Sequence, residues 1–251
     1  MSEPGFEEFV TRFFRCGQVT TFVGAGGKSS GMRAVAEVLV RRGVRARLAT
    51  TTRIGVEEFS GLPVAPVRGA SDLRRSFAAK EPLQVISAGL LEAGRKHAGL
   101  AAALIEQAEL PADLVLMVEG DGARRMPLKA PLPHEPVIPS NSATVIALMG
   151  ALAFGEPVDR ARCYNAEGVL ALLGREEAVL DAAALSLLAG HPMGCRKGVL
   201  PGMAFALVIN HGDLAEKRPI SRALMEEARR RYGISSTLLS WRERTVYDAA
   251  W

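Results

Sequence analysis

Short apolar runs alternate along the chain with longer segments in which apolar residues recur every three or four positions. The short runs predict buried β-strands, and they cover residues 18–23, 45–50, 83–87, 113–118, 143–148 and 204–209. The run at 113–118 is apolar from its second residue onward, which is the pattern of a strand buried on both faces. Strands that alternate with helices predict an α/β fold with a mostly parallel sheet and flanking helices.

Helical periodicity predicts helices at residues 29–42 and 90–107, with Gly43 as the natural end of the first. The region 158–202 is helical but weakly patterned, and we expect a small helical subdomain there, within a single domain that spans residues 1–251. Residues 124–142 are rich in proline and in reactive side chains, which predicts an irregular functional loop.

Composition fits one large α/β domain. The 251 residues are 48% apolar and 23% charged, which excludes a disordered or fibrous chain. The net charge is +4, but the basic residues lie in pairs on helical segments and no aromatic residues alternate with them. This pattern favours solvated helix faces and a basic nucleotide pocket over a nucleic-acid surface.

The N-terminal segment, the lengths of the apolar runs and the cysteines predict where the protein is located. No apolar run approaches 18 residues, and the N-terminus is acidic where a signal peptide is basic. The three cysteines are odd in number and form no Cys-x-x-Cys pair, which argues against a disulfide framework or a zinc knuckle. We therefore expect a soluble, cytoplasmic protein with no membrane partner.

The first predicted strand ends in a glycine-rich turn that runs directly into the first predicted helix. Such a loop binds phosphate when glycines let backbone N–H groups point at the anion, a lysine neutralises charge and a hydroxyl ligates Mg²⁺. The candidate nucleotide-binding residues are Gly24, Ala25, Gly26, Gly27, Lys28, Ser29 and Ser30. They predict a P-loop NTPase-like, three-layer architecture that binds a nucleoside triphosphate (NTP) and Mg²⁺.

This loop departs from the full P-loop motif, which would place a glycine at Phe22. The match is therefore to a shortened form, Gly-x-x-Gly-Lys followed by two hydroxyl residues. The alternative interpretation is an ordinary strand-to-helix turn that contains a lysine.

Two carboxylates, Glu119 and Asp121, follow the most apolar predicted strand. Parallel sheets bind ligands at the carboxyl ends of their strands, so both acids should face the same crevice as the glycine loop. We expect them to hold Mg²⁺ together with Ser29, or to orient an attacking nucleophile. The alternative is a pair of solvent-exposed carboxylates in a turn.

Further candidate catalytic residues lie in the proline-rich segment. Arg124 and Arg125 could neutralise charge on a transferring phosphoryl group, and Lys129 could do the same. His134, next to Glu135, could form an acid and base pair. The alternative for Lys129 and the His-Glu pair is structural: the prolines build a rigid ledge that the charged groups pin by hydrogen bonds.

A late motif bears on the nucleotide base. Asn210, His211, Gly212 and Asp213 follow the last predicted strand and resemble the Asn-Lys-x-Asp motif with which GTPases read guanine, with His in place of Lys. Asn210 and Asp213 are therefore candidate nucleotide-binding residues. The alternative is a polar turn, since Asn, Gly and Asp are common turn residues. The sequence leaves ATP and GTP open, with CTP as a further option.

Several of these motifs together resemble one known family. They lie at residues 23–30, 50–52, 118–125, 127–131 and 134–139, the last two reading PLKAP and HEPVIP. This set resembles the YqeC family, whose members are described as accessory proteins of selenium-dependent molybdenum hydroxylases. The resemblance is dense over residues 18–150. The family's acidic turn commonly reads Glu-Ala-Asp-Gly, so Gly120 is a small departure that keeps both acids.

The resemblance implies a P-loop protein, a Mg-dependent NTPase, that helps to mature a molybdenum hydroxylase. Its partners would be that hydroxylase or the proteins that mature its cofactor, and a homo-oligomer is compatible with the sequence. Two other classes stay open. One is an ATP-dependent kinase or ligase, because shortened glycine loops also occur in amide ligases of cell-wall synthesis. The other is a non-catalytic carrier of the molybdenum cofactor, in which the glycine loop holds a pterin phosphate.

Overall fold

Strands and helices alternate along most of residues 4–251, the part of the chain that the computed structural model describes. The helices are α1 (Pro4–Phe13), α2 (Lys28–Arg41), α3 (Ala70–Ala78), α4 (Ala102–Glu106), α5 (Ala166–Leu173), α6 (Ala182–Gly190) and α7 (Arg218–Tyr232). The strands are β1 (Gln18–Gly24), β2 (Arg45–Thr50), β3 (Ile54–Gly55), β4 (Val64–Pro66), β5 (Leu83–Ser87), β6 (Leu90–Leu91), β7 (Lys96–His97), β8 (Leu114–Glu119), β9 (Leu128–Lys129), β10 (Ser142–Gly150), β11 (Cys163–Tyr164), β12 (Ala204–Asn210), β13 (Ser235–Ser240) and β14 (Thr245–Ala250). None of the helices in this described part is long and apolar enough to span a membrane.

Nine of these strands form one sheet, in the order β14-β13-β12-β10-β1-β8-β2-β5-β4. Neighbouring strands are parallel except β13 and β14, which run antiparallel at one edge. The chain leaves β1 toward β2 and β8 on one side and later crosses to β10 on the other, so the strand order reverses at β1. Ligands bind outside the carboxyl ends of the strands at such a reversal, and the glycine loop follows β1 there. The predicted α/β fold with a mostly parallel sheet is confirmed.

Helices cover both faces of the sheet because successive side chains of a buried strand point to opposite faces. Phe22 of β1 packs in an apolar cluster with α1 and α2, whereas Val23 packs in a second cluster with α5, α6 and α7. Val19 points to the same face as Val23 and belongs to a third cluster, which includes residues of α3 and α4. The sheet is thus the middle of three layers, as predicted.

The predicted helix at 90–107 is wrong. This stretch contains β6, β7 and only the short α4. Glu92 and Ala93 have positive φ angles of 54° and 55°, and Gly94 has a φ of 85°. Left-handed backbone cannot continue a right-handed helix, so the chain turns back and β6 pairs with β7 in an antiparallel hairpin. The six predicted strands and the helix α2 are confirmed to within a few residues, while α1, α3, α7, β4, β13 and β14 are not among the predicted elements.

The region 158–202 contains α5, α6 and the two-residue strand β11. Val169 of α5 and Leu185 of α6 lie in one buried cluster with Val145 of β10. These helices therefore share the core of the main sheet. The proline-rich segment that precedes them is irregular except for β9, which pairs with β11.

Candidate functional site

The glycine loop at the end of β1 is held by its backbone against β10. A Cβ atom at Gly26 would lie 2.4 Å from the backbone nitrogen of Gly150, closer than real side chains come. Gly26 also has a φ of 97°, which glycine adopts without strain. The Ala25 N–H donates to the Leu148 carbonyl at 3.0 Å. Position 26 thus requires glycine for reasons of both conformation and space.

Asn210, at the end of β12, ties this loop to the neighbouring strand ends. Its Nδ2 donates to the Gly26 carbonyl at 2.8 Å, and its Oδ1 accepts the backbone N–H of Trp241 at 3.2 Å. The Trp241 ring packs against α2, where a Cβ at Gly31 would lie 2.8 Å from it. Because the Asn210 side chain is buried and bonded to the loop backbone, its role is to hold the glycine loop in place.

Lys28, the first residue of α2, is folded back toward carboxylates. Its Nζ donates to the Gly24 carbonyl at 2.5 Å and lies 3.2 Å from Asp121 Oδ1 and 3.7 Å from Glu119 Oε1. Burial by itself would lower the pKa of Lys28, but the attraction of Asp121 and Glu119 outweighs it and the pKa is raised. Lys28 is therefore a charged ammonium group held at the base of the loop.

Asp121 lies behind the glycine loop. Both of its carboxylate oxygens accept the backbone N–H of Gly24 at 3.1 Å, and the carboxylate lies between Lys28 and the Nζ of Lys129, 3.0 Å away. Its side chain is 1% exposed. Asp121 is thus engaged by two cations and the loop backbone, and this arrangement makes it a support for the loop.

Lys129 and Glu135 extend this set into the proline-rich segment. Lys129 Nζ donates to Glu135 Oε2 and to the Gly122 carbonyl, each at 2.6 Å, and Glu135 Oε1 accepts the Gly122 N–H at 3.3 Å. Burial would raise the pKa of Glu135, but the hydrogen bond and charge of Lys129 lower it overall. Lys28, Asp121, Lys129 and Glu135 form what we call the buried ion chain.

Glu119, the last residue of β8, gives this region an excess of negative charge. With Glu119, the buried ion chain brings three carboxylates together with two ammonium groups, a formal balance of −1. Ser29 Oγ donates to Glu119 Oε2 at 3.0 Å. Burial raises the pKa of Glu119, and the charge of Lys28 offsets only part of that effect. Glu119 is therefore the carboxylate here that gains most from an added cation.

A divalent ion would find only part of its ligand set in the protein. Within residues 4–251 no three His, Cys, Asp or Glu side chains are grouped so that they could hold a metal. Ser29 and Glu119 supply one hydroxyl and one carboxylate that touch each other. Mg²⁺ commonly binds through one or two carboxylates and completes its shell with water and substrate phosphates, so these two residues fit a Mg²⁺ that arrives with a nucleotide.

An open cleft of about 1260 Å³ lies in front of the loop. The predicted site residues that line it are Gly26, Gly27, Lys28, Ser29, Ser30, Glu119, Arg124, Arg125 and His134. The predicted residues that lie behind or beneath the loop, without lining this cleft, are Gly24, Ala25, Asp121, Lys129 and Asn210. The structure thus divides the predicted set into a cleft-facing group and a supporting group.

Two successive arginines project from a left-handed stretch of backbone at the cleft. Arg124 and Arg125 have φ angles of 47° and 61°, which is uncommon for residues other than glycine. Arg125 is paired with Glu57 at 2.8 Å and with Glu58 at 3.0 Å. Arg124 instead lies over the ring of Tyr164, 5.3 Å from its centroid, and has no ion pair with any described residue. The guanidinium of Arg124 can therefore pair with an anionic ligand without first leaving a carboxylate of the described residues.

Asp213 of the late motif lies apart from the cleft lining. Its carboxylate is 2.8 Å from the guanidinium of Arg242. His211 does line the cleft, with a φ of 68°, and its burial lowers its pKa, so the ring is held neutral. The motif therefore divides, with His211 toward the cleft and Asn210 toward the loop.

Sequence reasoning missed several residues of the site, among them Tyr164, Trp241, Thr51 and the charged residues Arg53, Glu57, Glu58 and Lys96. Tyr164 and Trp241 lie far along the chain from the motifs they contact, and nothing in their local sequence marks them. Thr51 follows β2, donates to the Val137 carbonyl at 2.9 Å and lines the cleft. Thr51 could have been found from the sequence, because the threonine-rich turn at 50–52 is one of the motifs that resemble the YqeC family, although no function was assigned to it.

Comparisons with known proteins agree with the motifs. The family model described as YqeC protein matches residues 20–167. The Escherichia coli (strain K12) protein described as "Uncharacterized protein YqeC" is 30% identical over 209 residues, which are 83% of this chain and 81% of that one. The chain belongs to the YqeC family. The YqeC match contains the glycine loop, the buried ion chain and Tyr164, whereas Asn210 and Asp213 lie beyond residue 167.

A solved structure is also similar to this YqeC family member. It is the crystal structure of HypB from Helicobacter pylori in complex with nickel, which is 13% identical. The match covers 96% of this chain and 85% of that chain, with a TM-score of 0.38. At that level the likeness carries no information about ligands.

Proposed function

We propose that this protein binds an NTP together with Mg²⁺ at the glycine loop. The observation that carries the proposal is the meeting of Lys28, Ser29 and Glu119 at the carboxyl edge of the sheet, in front of an open cleft. A cation, a hydroxyl and a carboxylate in this arrangement match the needs of a phosphate chain and its metal.

The loop backbone supports phosphate binding at residues 26–29. The Gly24 and Ala25 N–H groups already donate to Asp121 and to Leu148, so they are not available to a ligand. The next N–H groups lie at the N-terminal end of α2, where the helix dipole favours an anion. A phosphate bound there would lie next to Lys28, and its oxygens would replace the carboxylates of Glu119 and Asp121 as the partners of the Lys28 ammonium group.

Mg²⁺ bound by Ser29 and Glu119 would neutralise charge on the phosphates. Around it, Arg124 is the better placed of the two arginines to stabilise charge on a phosphoryl group, because Arg125 must first leave Glu57 and Glu58. His134 is exposed at the cleft and is the candidate acid or base. Asp121 and Lys129 act as positioning residues that hold the loop.

The cellular role we propose is the maturation of a molybdenum hydroxylase in the cytoplasm, with NTP hydrolysis as the driving or switching step. This role is the one that the resemblance of the sequence motifs to the YqeC family implies, and the family matches support membership of that family. Its partners would be the hydroxylase or the proteins that mature its cofactor. A carrier of the molybdenum cofactor would use the same loop to hold a pterin phosphate, but would not hydrolyse NTP.

The test is a thermal-shift titration with ATP, GTP and CTP, each with and without Mg²⁺. Binding at 100 times Kd adds about 2.7 kcal/mol to the free energy of unfolding, which raises the Tm of a chain of this size by about 5–10 °C. Ser29→Ala should remove the Mg²⁺-dependent part of the shift, and Lys28→Ala most of the whole shift. Lys80→Ala, which changes an exposed lysine outside the cleft, should leave the shift intact.

The outcomes separate the functions. An Mg²⁺-dependent shift with one NTP that is lost in Ser29→Ala supports the proposed binding of NTP and Mg²⁺ and names the base. A shift with molybdenum cofactor alone, with none for any NTP, would favour the carrier. Because Lys28→Ala also breaks the buried ion chain, Ser29→Ala decides the result if the lysine variant does not fold.

A further inference from the structure

The cleft is larger than the site that the glycine loop requires. Its volume is about 1260 Å³, whereas pockets for single small molecules are about 300–1,000 Å³. The glycine loop forms part of its lining, and separate segments, including residues 51–55, 57–58 and 122–127 and Tyr164, form what we call the far wall. If an NTP occupies the loop as proposed above, on which this inference rests, a cleft of this volume has room for a second ligand against the far wall.

The far wall is basic. Its charged lining consists of Arg53, Lys96, Arg124, Arg125, Glu57 and Glu58, a formal balance of +2. Arg125 is already neutralised by Glu57 and Glu58. Arg53 and Lys96 share a single carboxylate, that of Glu92, at 3.8 Å and 3.1 Å. Even with Glu92 included, one positive charge is left over.

The group of Arg125, Glu57 and Glu58 (−1) and the group of Arg53, Lys96 and Glu92 (+1) cancel, which leaves the charge of Arg124. Its guanidinium has no acidic partner among the described residues, and it rests over the Tyr164 ring, which is also 5.3 Å from Lys129 Nζ. A guanidinium that packs on an aromatic face keeps its edge N–H groups for a ligand, and its planar fork suits carboxylate and phosphate. The exposed imidazole of His134 lines the same cleft.

We infer that the wall around Arg124 and Tyr164 is a second ligand site, next to the nucleotide, for a small molecule that carries a phosphate or carboxylate group. The nucleotide and this oxyanion bind at the same time. A cleft with two ligands of this kind is what an enzyme that acts on an anionic substrate requires, and a switch that only binds and hydrolyses NTP has no use for the second site.

The test uses protein saturated with a non-hydrolysable analogue of the NTP that binds, with isothermal titration calorimetry at constant ionic strength. The first probe is 3-phosphoglycerate, which carries both oxyanions. Glycerol 3-phosphate and glycerate then separate the phosphate from the carboxylate. The variant is Arg124→Gln, and the control is Arg175→Gln, an exposed arginine outside the cleft.

We expect saturable binding of the first probe to the nucleotide-loaded protein. In protein kept saturated with the nucleotide analogue, Arg124→Gln should weaken probe binding at least tenfold, and Arg175→Gln should leave the Kd for the probe unchanged. Competition between probe and nucleotide, or no saturable binding of any of the three probes, would overturn the second site. If no NTP binds at all, the proposed function fails, and Arg124-dependent probe binding to the ligand-free protein would still support the site.

Discussion

The buried ion chain makes a strong prediction about stability, tested by Lys129→Met. Lys129 Nζ contacts Glu135 at 2.6 Å, the Gly122 carbonyl at 2.6 Å and Asp121 at 3.0 Å, and its side chain is 1% exposed. Methionine is an unbranched side chain one atom shorter than lysine, and it makes none of these polar contacts. The local charge balance then falls from −1 to −2, and Glu135 is left buried with only the backbone of Gly122 and Leu132 as hydrogen-bond partners.

Removing one partner of a buried ion pair costs about 3–5 kcal/mol. That is a large share of the 5–15 kcal/mol by which domains are stable. With a urea m-value of about 3 kcal/mol/M, the midpoint of urea unfolding should fall by about 1–1.7 M. The measurement is equilibrium urea unfolding at pH 7, followed by circular dichroism.

Two companion variants test the reasoning. Lys129→Met combined with Glu135→Gln restores the charge balance to −1, so at least half of the lost free energy should return. Lys96→Met makes the same substitution at a lysine that is 41% exposed and paired with Glu92, and it should cost at most about 1 kcal/mol. The ion chain does not stabilise the fold as described if Lys129→Met costs no more stability than Lys96→Met. The same holds if the double variant loses as much free energy of unfolding as Lys129→Met and Glu135→Gln, measured separately, added together.

Three further predictions concern the loop and its acids. Glu119→Gln should hold or raise the Tm of the ligand-free protein at pH 7, and it should abolish the Mg²⁺-dependent shift. Because the pKa of Glu119 is raised in the folded protein, ionisation of Glu119 disfavours folding above about pH 4.5. The wild type should therefore gain stability from Glu119 as the pH falls from 7 toward 4.5, and the variant should not. Gly26→Ala should abolish nucleotide binding and should unfold at a lower temperature than Gly202→Ala. Both glycines have a similar positive φ, 97° and 91°, but only a Cβ at position 26 would clash with backbone atoms. If the two variants lose the same Tm, the backbone conformation alone explains the effect. Asp213→Asn should leave the relative affinities for ATP, GTP and CTP within twofold, because Asp213 pairs with Arg242 outside the cleft; a change of preference from GTP to xanthosine triphosphate would establish guanine reading.

Local patterns were enough to predict the loop and the sheet that carries it. Gly26, Lys28 and Ser29 lie within four successive positions, and their chemistry depends on a strand before them and a helix after them, both of which the apolar pattern predicts. The same holds for Glu119, at the end of the most buried strand.

What the sequence could not resolve was which acid faces the ligand. Glu119 and Asp121 are two residues apart and chemically alike, yet Glu119 faces the cleft and Asp121 lies behind the loop. Asp121 is held there by Lys28, by the Gly24 N–H and by Lys129, which reaches it from the proline-rich segment. Contacts between distant segments of this kind leave no periodic trace, and neither does the packing of Arg124 on Tyr164.

Trp241 makes the loop observable without a label. It is 3% exposed, its backbone N–H is bound to Asn210, and its ring lies against Gly31 and next to Gly27. The chain has two tryptophans, and the other, Trp251, is half-buried beside Arg12. Replacing Trp251 with phenylalanine would leave a single indole next to Gly27, and we expect its fluorescence to change when phosphate binds at the loop. Rapid mixing of that variant with nucleotide would then time nucleotide binding directly, before any product is released.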